Sequence, residues 1–308
     1  MEHSHLNILV LDGGGSKGVY SLGVLKELEL KLGTPLYRHF GLIYGTSTGA
    51  IIGSLIALGH SVKEIEDMFI ELIPQIMKCK TKGGKSKAMA EAAEKIFGDK
   101  KFEAFKTNIG IVALDFETQM PVIFKTNIPQ PVGLKQPFKP GFGCTIATAI
   151  RCSSAAYPFF NKVKIKTEDH GEMVVVDGGF IANNSTLYSM IDAYKSLSFH
   201  EENIHLLNIG VGDYLENTSG TVSKLLKKIG IFSFFEKVLI ANTNRNTIIS
   251  KLLFPNMDML RISDSFPERK HGTNMFEYDP AKLHKMVQLG RASYAKYEKQ
   301  ILKLLRIG

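Results

Sequence analysis

The sequence predicts an α/β fold with a mainly parallel central sheet that carries its site at one edge, and three observations lead there. Short apolar runs of strand length alternate with stretches whose apolar residues recur at helical spacing. Two of the strand-to-helix passages go through glycine-rich turns, at residues 12–18 and 45–49, so two β-loop-α units stand side by side with both loops at the edge where α/β sheets place ligands. With 308 residues, 44% of them hydrophobic, the chain can bury one large core, and a single domain over residues 1–308 is expected.

Taken in order, Leu6–Leu11 reads as a buried strand and residues 12–18 as a turn rich in unhindered backbone N–H groups. Residues 19–32 place Leu22, Leu25, Leu28 and Leu32 at helical spacing and stop at Gly33, a residue suited to a helix C-terminus. A second strand over 40–44 leads through the 45–49 turn into a helix that closes at Gly59. From 61 to 105 the pattern is helical and polar, interrupted by the basic, glycine-containing segment 78–87, which reads as a solvated loop or a mobile lid. Residues 108–114 and 121–125 read as strands, the proline-rich run 128–140 as an irregular connection, and 145–150 as the start of a short helix. A strand over 173–176 ends in Asp177-Gly178-Gly179, and another covers 205–209. Residues 223–240 join an apolar stretch to a basic edge of Lys224, Lys227 and Lys228, a pattern that suits core packing or a membrane contact. An amphipathic helix over 281–305 follows.

Composition narrows the classes. Three scattered cysteines, Cys79, Cys144 and Cys152, suit neither a disulfide framework nor a C-x-x-C site, so a reducing, cytoplasmic setting is expected. The first five residues lack the basic start and apolar stretch of a signal peptide. Residues 39–62 carry no Lys, Arg, Asp or Glu and are long enough to span a bilayer, but the 45–49 turn splits them into a short strand and a short helix, so they read as buried. A net charge of +8 fits attraction to anionic lipid head groups or to a nucleotide. No cluster of metal ligands is present in the sequence, and no metal or cofactor is expected.

Gly45-Thr46-Ser47-Thr48-Gly49 has the G-x-S-x-G pattern between two apolar runs. A strand entering a helix through a turn too tight for side chains at Gly45 and Gly49 lifts Ser47 clear of the backbone, with its hydroxyl over a helix N-terminus that favours negative charge. That is a nucleophile's position. A serine needs a base, and Asp177 is a strand-ending acid whose Gly178 and Gly179 let a substrate or another backbone approach. The Ser-acid-His order of an α/β-hydrolase stays open through His205, His271 or His284, although that fold reaches its nucleophile after several strands and Ser47 follows the second. Gly13, Gly15 and Gly18 also satisfy G-x-G-x-x-G, but the acid of a dinucleotide site is missing where residues 42–44 run straight into Gly45, and Gly18-Val19-Tyr20 is no P-loop. An acyl-transfer enzyme needs the same loop for another purpose, to offer N–H groups to a tetrahedral oxyanion.

In this order, Asp12 to Gly18, Gly45 to Gly49 and Asp177 to Gly179 resemble the three signature blocks of patatin-like phospholipases. Arg151-Cys152-Ser153-Ser154-Ala155-Ala156-Tyr157-Pro158-Phe159-Phe160 is similar to the family's Ser-Ala-Ala-Pro stretch, so the resemblance runs from about residue 6 to 184 and fades over 185–308, which complete the fold. One departure is Ser185, where the family usually has proline. The resemblance implies a three-layer α/β/α domain with a Ser-Asp dyad: Ser47 attacks an acyl ester of a membrane phospholipid, Asp177 takes and returns the proton, and Gly13, Gly14 and Gly15 supply the oxyanion hole. The chain also looks like the bacterial members that a cyclic dinucleotide switches on in antiphage signalling. That likeness implies a cyclic di- or trinucleotide activator, peripheral recruitment to the inner face of the membrane, a homo-oligomer on activation and no nucleic-acid polymer as partner. Lys80, Lys82, Lys85 and Lys87 are the candidate contacts for the activator's phosphates or for anionic lipid. The other readings are a constitutive lysophospholipase and a silent nucleotide- or lipid-binding protein.

Overall fold

A computed structural model of the chain describes residues 5–126, 128, 139–167, 171–215 and 231–307. The basic edge read at 223–230 and most of the proline-rich run 128–140 lie outside the described residues. Strand β1 (Leu6–Leu11) runs through the middle of the sheet, parallel to β2 (Leu42–Thr46) on one side and to Ile204–Ile209 on the other. Its Ile8 and Val10 face one core while Leu9 and Leu11 face the opposite one, so apolar residues are required from Ile8 to Leu11. Beyond β2 lies β3 (Asn108–Asp115), again parallel; it is paired antiparallel with β4 (Pro121–Lys125) and, further along, with Gly171–Asp177.

In chain order the strands after β4 are β5 (Val163–Thr167), β6 (Gly171–Asp177), β7 (Ile204–Ile209), a short β8 (Asp213–Tyr214), β9 (Asp258–Ile262) and a short β10 (Ser265–Phe266). Among the described residues the large sheet has eight strands in the order β5-β6-β3-β2-β1-β7-β9, with β4 attached to β3. β5 and β9, absent from the expected elements, are its two ends. Each needs only partial burial, and Lys164, Lys166, Asp258 and Arg261 break the apolar pattern that marks the inner strands.

Helices cover both faces, giving the three layers. On one side lie α1 (Gly18–Leu32), α2 (Thr48–Leu58), α3 (Val62–Met77), α5 (Ile146–Ser153) and the terminal helix Pro280–Leu304, whose Leu283, Met286 and Val287 join the core of Leu22, Leu25 and Ile52. On the other lie Ala182 of α6 (Gly179–Ala182), Met190 of α7 (Thr186–Ile191) and Ala193 of the π-helical turn Asp192–Ser196. The expected ends hold: α1 and α2 close at Gly33 and Gly59, both with φ in the left-handed region.

The basic segment is a correction. Helix α4 (Lys82–Phe97) begins inside it, so Lys82, Lys85 and Lys87 are helical and only residues 78–81 connect α3 to α4. Thr81 caps this helix by accepting the Gly84 N–H at 3.0 Å. The cap, with four alanines between residues 88 and 93, outweighs the two glycines that suggested a loop.

Candidate active site

Ser47 sits at the turn between β2 and α2 with φ 54° and ψ −121°, a conformation that a non-glycine residue rarely holds. Such backbone strain costs of order 1–3 kcal/mol and persists only where the surroundings enforce it. Here they do. A side chain at Gly45 would meet the Gly49 carbonyl carbon at 2.5 Å, and one at Gly49 the Leu11 carbonyl oxygen at 2.2 Å, so the turn closes only around bare glycine. The Ser47 N–H donates to Ser153 Oγ at 2.9 Å, and the Ser153 hydroxyl donates onward to the Val112 carbonyl at 2.6 Å. Just before the turn, the Thr46 hydroxyl donates to the Ala182 carbonyl at 2.6 Å. Ser153 was only part of a recognised stretch in the sequence; its bond to the elbow depends on how α5 packs against β3.

Sheet register brings the acid to the serine. Thr46 pairs with Val112 in the parallel ladder and Asp177 pairs with Ala113 in the antiparallel one, so the ends of β2 and β6 flank β3 at one height. The Ser47 hydroxyl donates to Asp177 Oδ2 at 2.7 Å, and the Gly179 N–H donates to Oδ1 at 2.7 Å. Burial pushes the Asp177 carboxyl up to about 6, against the opposing pull of these two bonds, which favour the ionised form. An acid held there ionises below neutral pH yet keeps enough basicity to accept a hydroxyl proton. The three histidines lie elsewhere. His205 is at the start of β7, the far end of the sheet, beside Asp258; His271 lies near Glu268; His284 Nδ1 contacts the Pro280 carbonyl.

The glycine loop passes beside Ser47. The position of a Gly13 Cβ would be 3.4 Å from Ser47 Cβ, and Gly15, with φ 59°, lines the same cavity as Ser47. The loop was expected to offer three N–H groups, but that of Gly13 donates to the Asn183 carbonyl at 3.0 Å. Among the described residues the Gly14 and Gly15 N–H groups make no hydrogen bond. Gly18 opens α1 against Thr48 of α2. Asp12 anchors the loop from behind: its carboxylate lies 2.7 Å from Arg261 Nη2 and accepts from Asn208 Nδ2 at 2.8 Å. The segment after Asp177 is held by the long helix Ile231–Leu253, where Asn242 Oδ1 accepts the Asn183 N–H at 2.9 Å and Asn246 donates to the Asn184 carbonyl at 2.9 Å. At Ser185 the missing proline is of little consequence, since the Asn184 side chain accepts the Thr186 N–H at 2.9 Å and starts α7.

From Ser47 an apolar cavity of about 90 Å³ runs between α2, α3 and α4, walled by residues such as Ile51, Phe69, Ile73, Phe97, Phe160 and Phe276. Residues 61–105, polar in overall pattern, thus turn their apolar stripes toward the serine.

Residues 9–190 match the family described as Patatin-like phospholipase. The chain belongs to that family, and it is an enzyme of the patatin-like phospholipase class. This phospholipase is 41% identical over 298 residues to an Escherichia coli protein named cUMP-AMP-activated phospholipase, covering 97% of this chain and 93% of the relative. Two proteins named cGAMP-activated phospholipase are more distant: one from Escherichia coli at 25% over 252 residues, 73% of this chain and 67% of its own length, and one from Vibrio cholerae at 23% over 291 residues, 82% and 78%. Among solved structures, VipD from Legionella pneumophila shares the fold at 13% identity, with a TM-score of 0.50 and coverage of 98% of this chain and 67% of that one.

In this phospholipase the candidate lysines do not converge. Lys80 is exposed on the connection before α4. Lys82 Nζ lies 5.5 Å from the centre of the Tyr157 ring, Lys85 Nζ turns back to the Cys79 carbonyl, and Lys87 pairs with Glu91 at 3.8 Å. Burial lowers the pKa of Lys85.

Proposed function

We propose that this chain hydrolyses fatty-acyl esters of membrane phospholipids through a Ser47-Asp177 dyad, and the observation that carries the reading is the 2.7 Å bond from the Ser47 hydroxyl to a buried carboxylate. Asp177 accepts the Ser47 proton as Oγ attacks the ester carbonyl carbon. The tetrahedral oxyanion is received by the Gly14 and Gly15 N–H groups, aided by the N-terminus of α2. As the carbon–oxygen bond to the glycerol side breaks, Asp177 returns the proton to the leaving alcohol. Water, deprotonated by Asp177, then attacks the acyl carbon, and Asp177 returns the proton to Ser47 Oγ as the fatty acid leaves. The apolar cavity holds the acyl chain, and Gly18, Gly45, Gly49, Gly178 and Gly179 keep the surrounding backbone close.

Among the described residues no helix is long and apolar enough to cross a membrane. We read the enzyme as cytoplasmic, built as one domain, and recruited peripherally to the inner membrane face. The exposed side of the helix Ile231–Leu253 suits such a contact: Phe234, Ile248 and Leu252 are solvent-facing on one side, with Arg245 among them and Lys237 and Lys251 beside them. The names of the relatives support a cyclic nucleotide as activator. We place the switch in antiphage defence, with assembly into a homo-oligomer as one way to release activity. The test is an assay of the purified protein on mixed bacterial phospholipids with and without cyclic di- and trinucleotides. Turnover that appears only with one of them, and disappears in Ser47→Ala, is the expected result. Equal turnover without any nucleotide returns the constitutive lysophospholipase reading, and persistence in Ser47→Ala overturns the dyad.

A further inference from the structure

A second cavity, of about 330 Å³, lies beside the acyl channel between the first turns of α4, the end of α5 and the residues leading into β5. That volume has room for a ligand larger than a single water molecule. Its lining includes Gly83, Lys87, Arg151, Ser154, Asn161 and Lys162, and none of its lining residues is acidic. Arg151 is half-buried and forms no ion pair or hydrogen bond with any described residue, although a guanidinium fork ordinarily finds a carboxylate or phosphate. Lys162 is also without a carboxylate; its Nζ rests 3.3 Å from the centre of the Phe116 ring and 5.0 Å from that of Tyr157. The Lys87–Glu91 contact is a long, exposed pair that a stronger anion displaces at little cost.

Ser154 stands at the boundary with the acyl channel. The residue is 5% exposed, its Oγ is buried without a hydrogen-bond partner, and it lines both this cavity and the channel from Ser47. The Oγ itself has almost no surface open to the cavity, so it meets a ligand oxygen only if the side chain turns to another rotamer. Three cations and no carboxylate in the lining suit a ligand with several acceptor oxygens and fixed negative charge.

The geometry points to a phosphate-ester site in this cavity, with Arg151 as its principal ligand and Ser154 at its boundary with the acyl channel. The inference rests on the proposed function for the two sources of such a group: the head-group phosphate of the lipid being cleaved, or a phosphodiester of the activator. The shared wall of Met89, Ser154 and Phe160 places either one within reach of the channel.

The test titrates glycerol 3-phosphate and cyclic UMP-AMP into full-length Ser47→Ala protein by calorimetry, alone and combined with Arg151→Gln or Gly83→Glu. A side chain at Gly83 meets nothing within 4 Å, and Glu in the first turn of α4 suits the helix, so this variant adds a carboxylate to the cavity without disturbing the fold. The expected result is binding of at least one titrant that weakens tenfold or more in both variants. Loss confined to glycerol 3-phosphate, with a raised KM for phosphatidylglycerol vesicles but not for p-nitrophenyl butyrate in the Ser47 enzyme, assigns the head group. Loss confined to cyclic UMP-AMP, with a raised half-maximal activating concentration, assigns the activator. Loss of both titrants means that one cavity accepts either source. No binding of either titrant by the parent protein, or binding unchanged in Gly83→Glu, overturns the site. Because binding is read without turnover, that failure is separate from failure of the dyad, which shows as hydrolysis surviving in Ser47→Ala.

Discussion

Two glycine-bearing stretches, the elbow at residues 45–49 and the start of α4 at 81–87, look alike in the sequence and behave in opposite ways. Around the elbow, backbone atoms occupy the space a side chain would need: the Leu11 carbonyl oxygen would be 2.2 Å from a Cβ at Gly49. At Gly83 there is nothing within 4 Å. The first pair of glycines permits close approach of two elements and holds Ser47 at φ 54°; Gly83 leaves the rim of a cavity open. A glycine in a sequence therefore reports reduced bulk, and the neighbours decide whether that means tight packing or access.

The contrast breaks most completely if the tight region is not where chemistry occurs. Ser47→Ala is expected to lower kcat by a factor on the order of 10⁴ to 10⁶, the range for serine hydrolases that lose a member of the reacting set, measured on phospholipid vesicles with the fold checked by circular dichroism. Asp177→Asn should cost on the order of 10² to 10⁴, as for a lost general base, whereas single changes of His205, His271 or His284 should not approach this loss. Both effects sharpen the assignment of proton transfer to the end of β6.

Asp177 also predicts a pH profile. Its carboxylate is the active base, so kcat/KM should rise as pH increases through about 6 and level off above it. For stability the sign is reversed. The folded pKa lies above the reference value of 3.8, so the stabilising contribution of the protonated group is present in full below that value and lost as pH rises through about 6. Asp177→Asn is accordingly expected to be more stable than the parent at pH 8, by up to about 3 kcal/mol in denaturant titrations.

Smaller effects test the loop and the comparison itself. Gly14→Val should lower kcat by roughly 10² to 10³ with little change in substrate affinity if the Gly14 N–H receives the oxyanion. Gly49→Ala should destabilise the fold by about 1–3 kcal/mol through overpacking, while Gly83→Ala should stabilise it by up to about 1 kcal/mol, since alanine is the better helix former and meets open space. The same change in stability at both positions, or the reversed signs, would dissolve the distinction drawn between them.

Local signals carried much of the molecule. Apolar runs identify β1, β2, β3 and β7; Gly33 and Gly59 mark helix ends; Gly45-Thr46-Ser47-Thr48-Gly49 and Asp177-Gly178-Gly179 single out the pair whose side chains meet. Each of these is written in consecutive residues, where chain stiffness and the bulk of a few side chains decide conformation. The rest depended on partners distant in sequence. Ser47 and Asp177, 130 residues apart, meet because two ladders on β3 share one register. The same dependence governs the Gly13 N–H, taken by Asn183, and the elbow N–H, received by Ser153. It governs the edge strands β5 and β9, whose charged residues are tolerated only because one side of the strand pairs with nothing further in the sheet. It governs α4 as well, where a cap and packing against α5 turn a basic, glycine-containing segment into channel wall and cavity rim. Propensity is a property of neighbours along the chain, whereas burial, register and the partner of a buried polar group exist only once the layers have closed on one another.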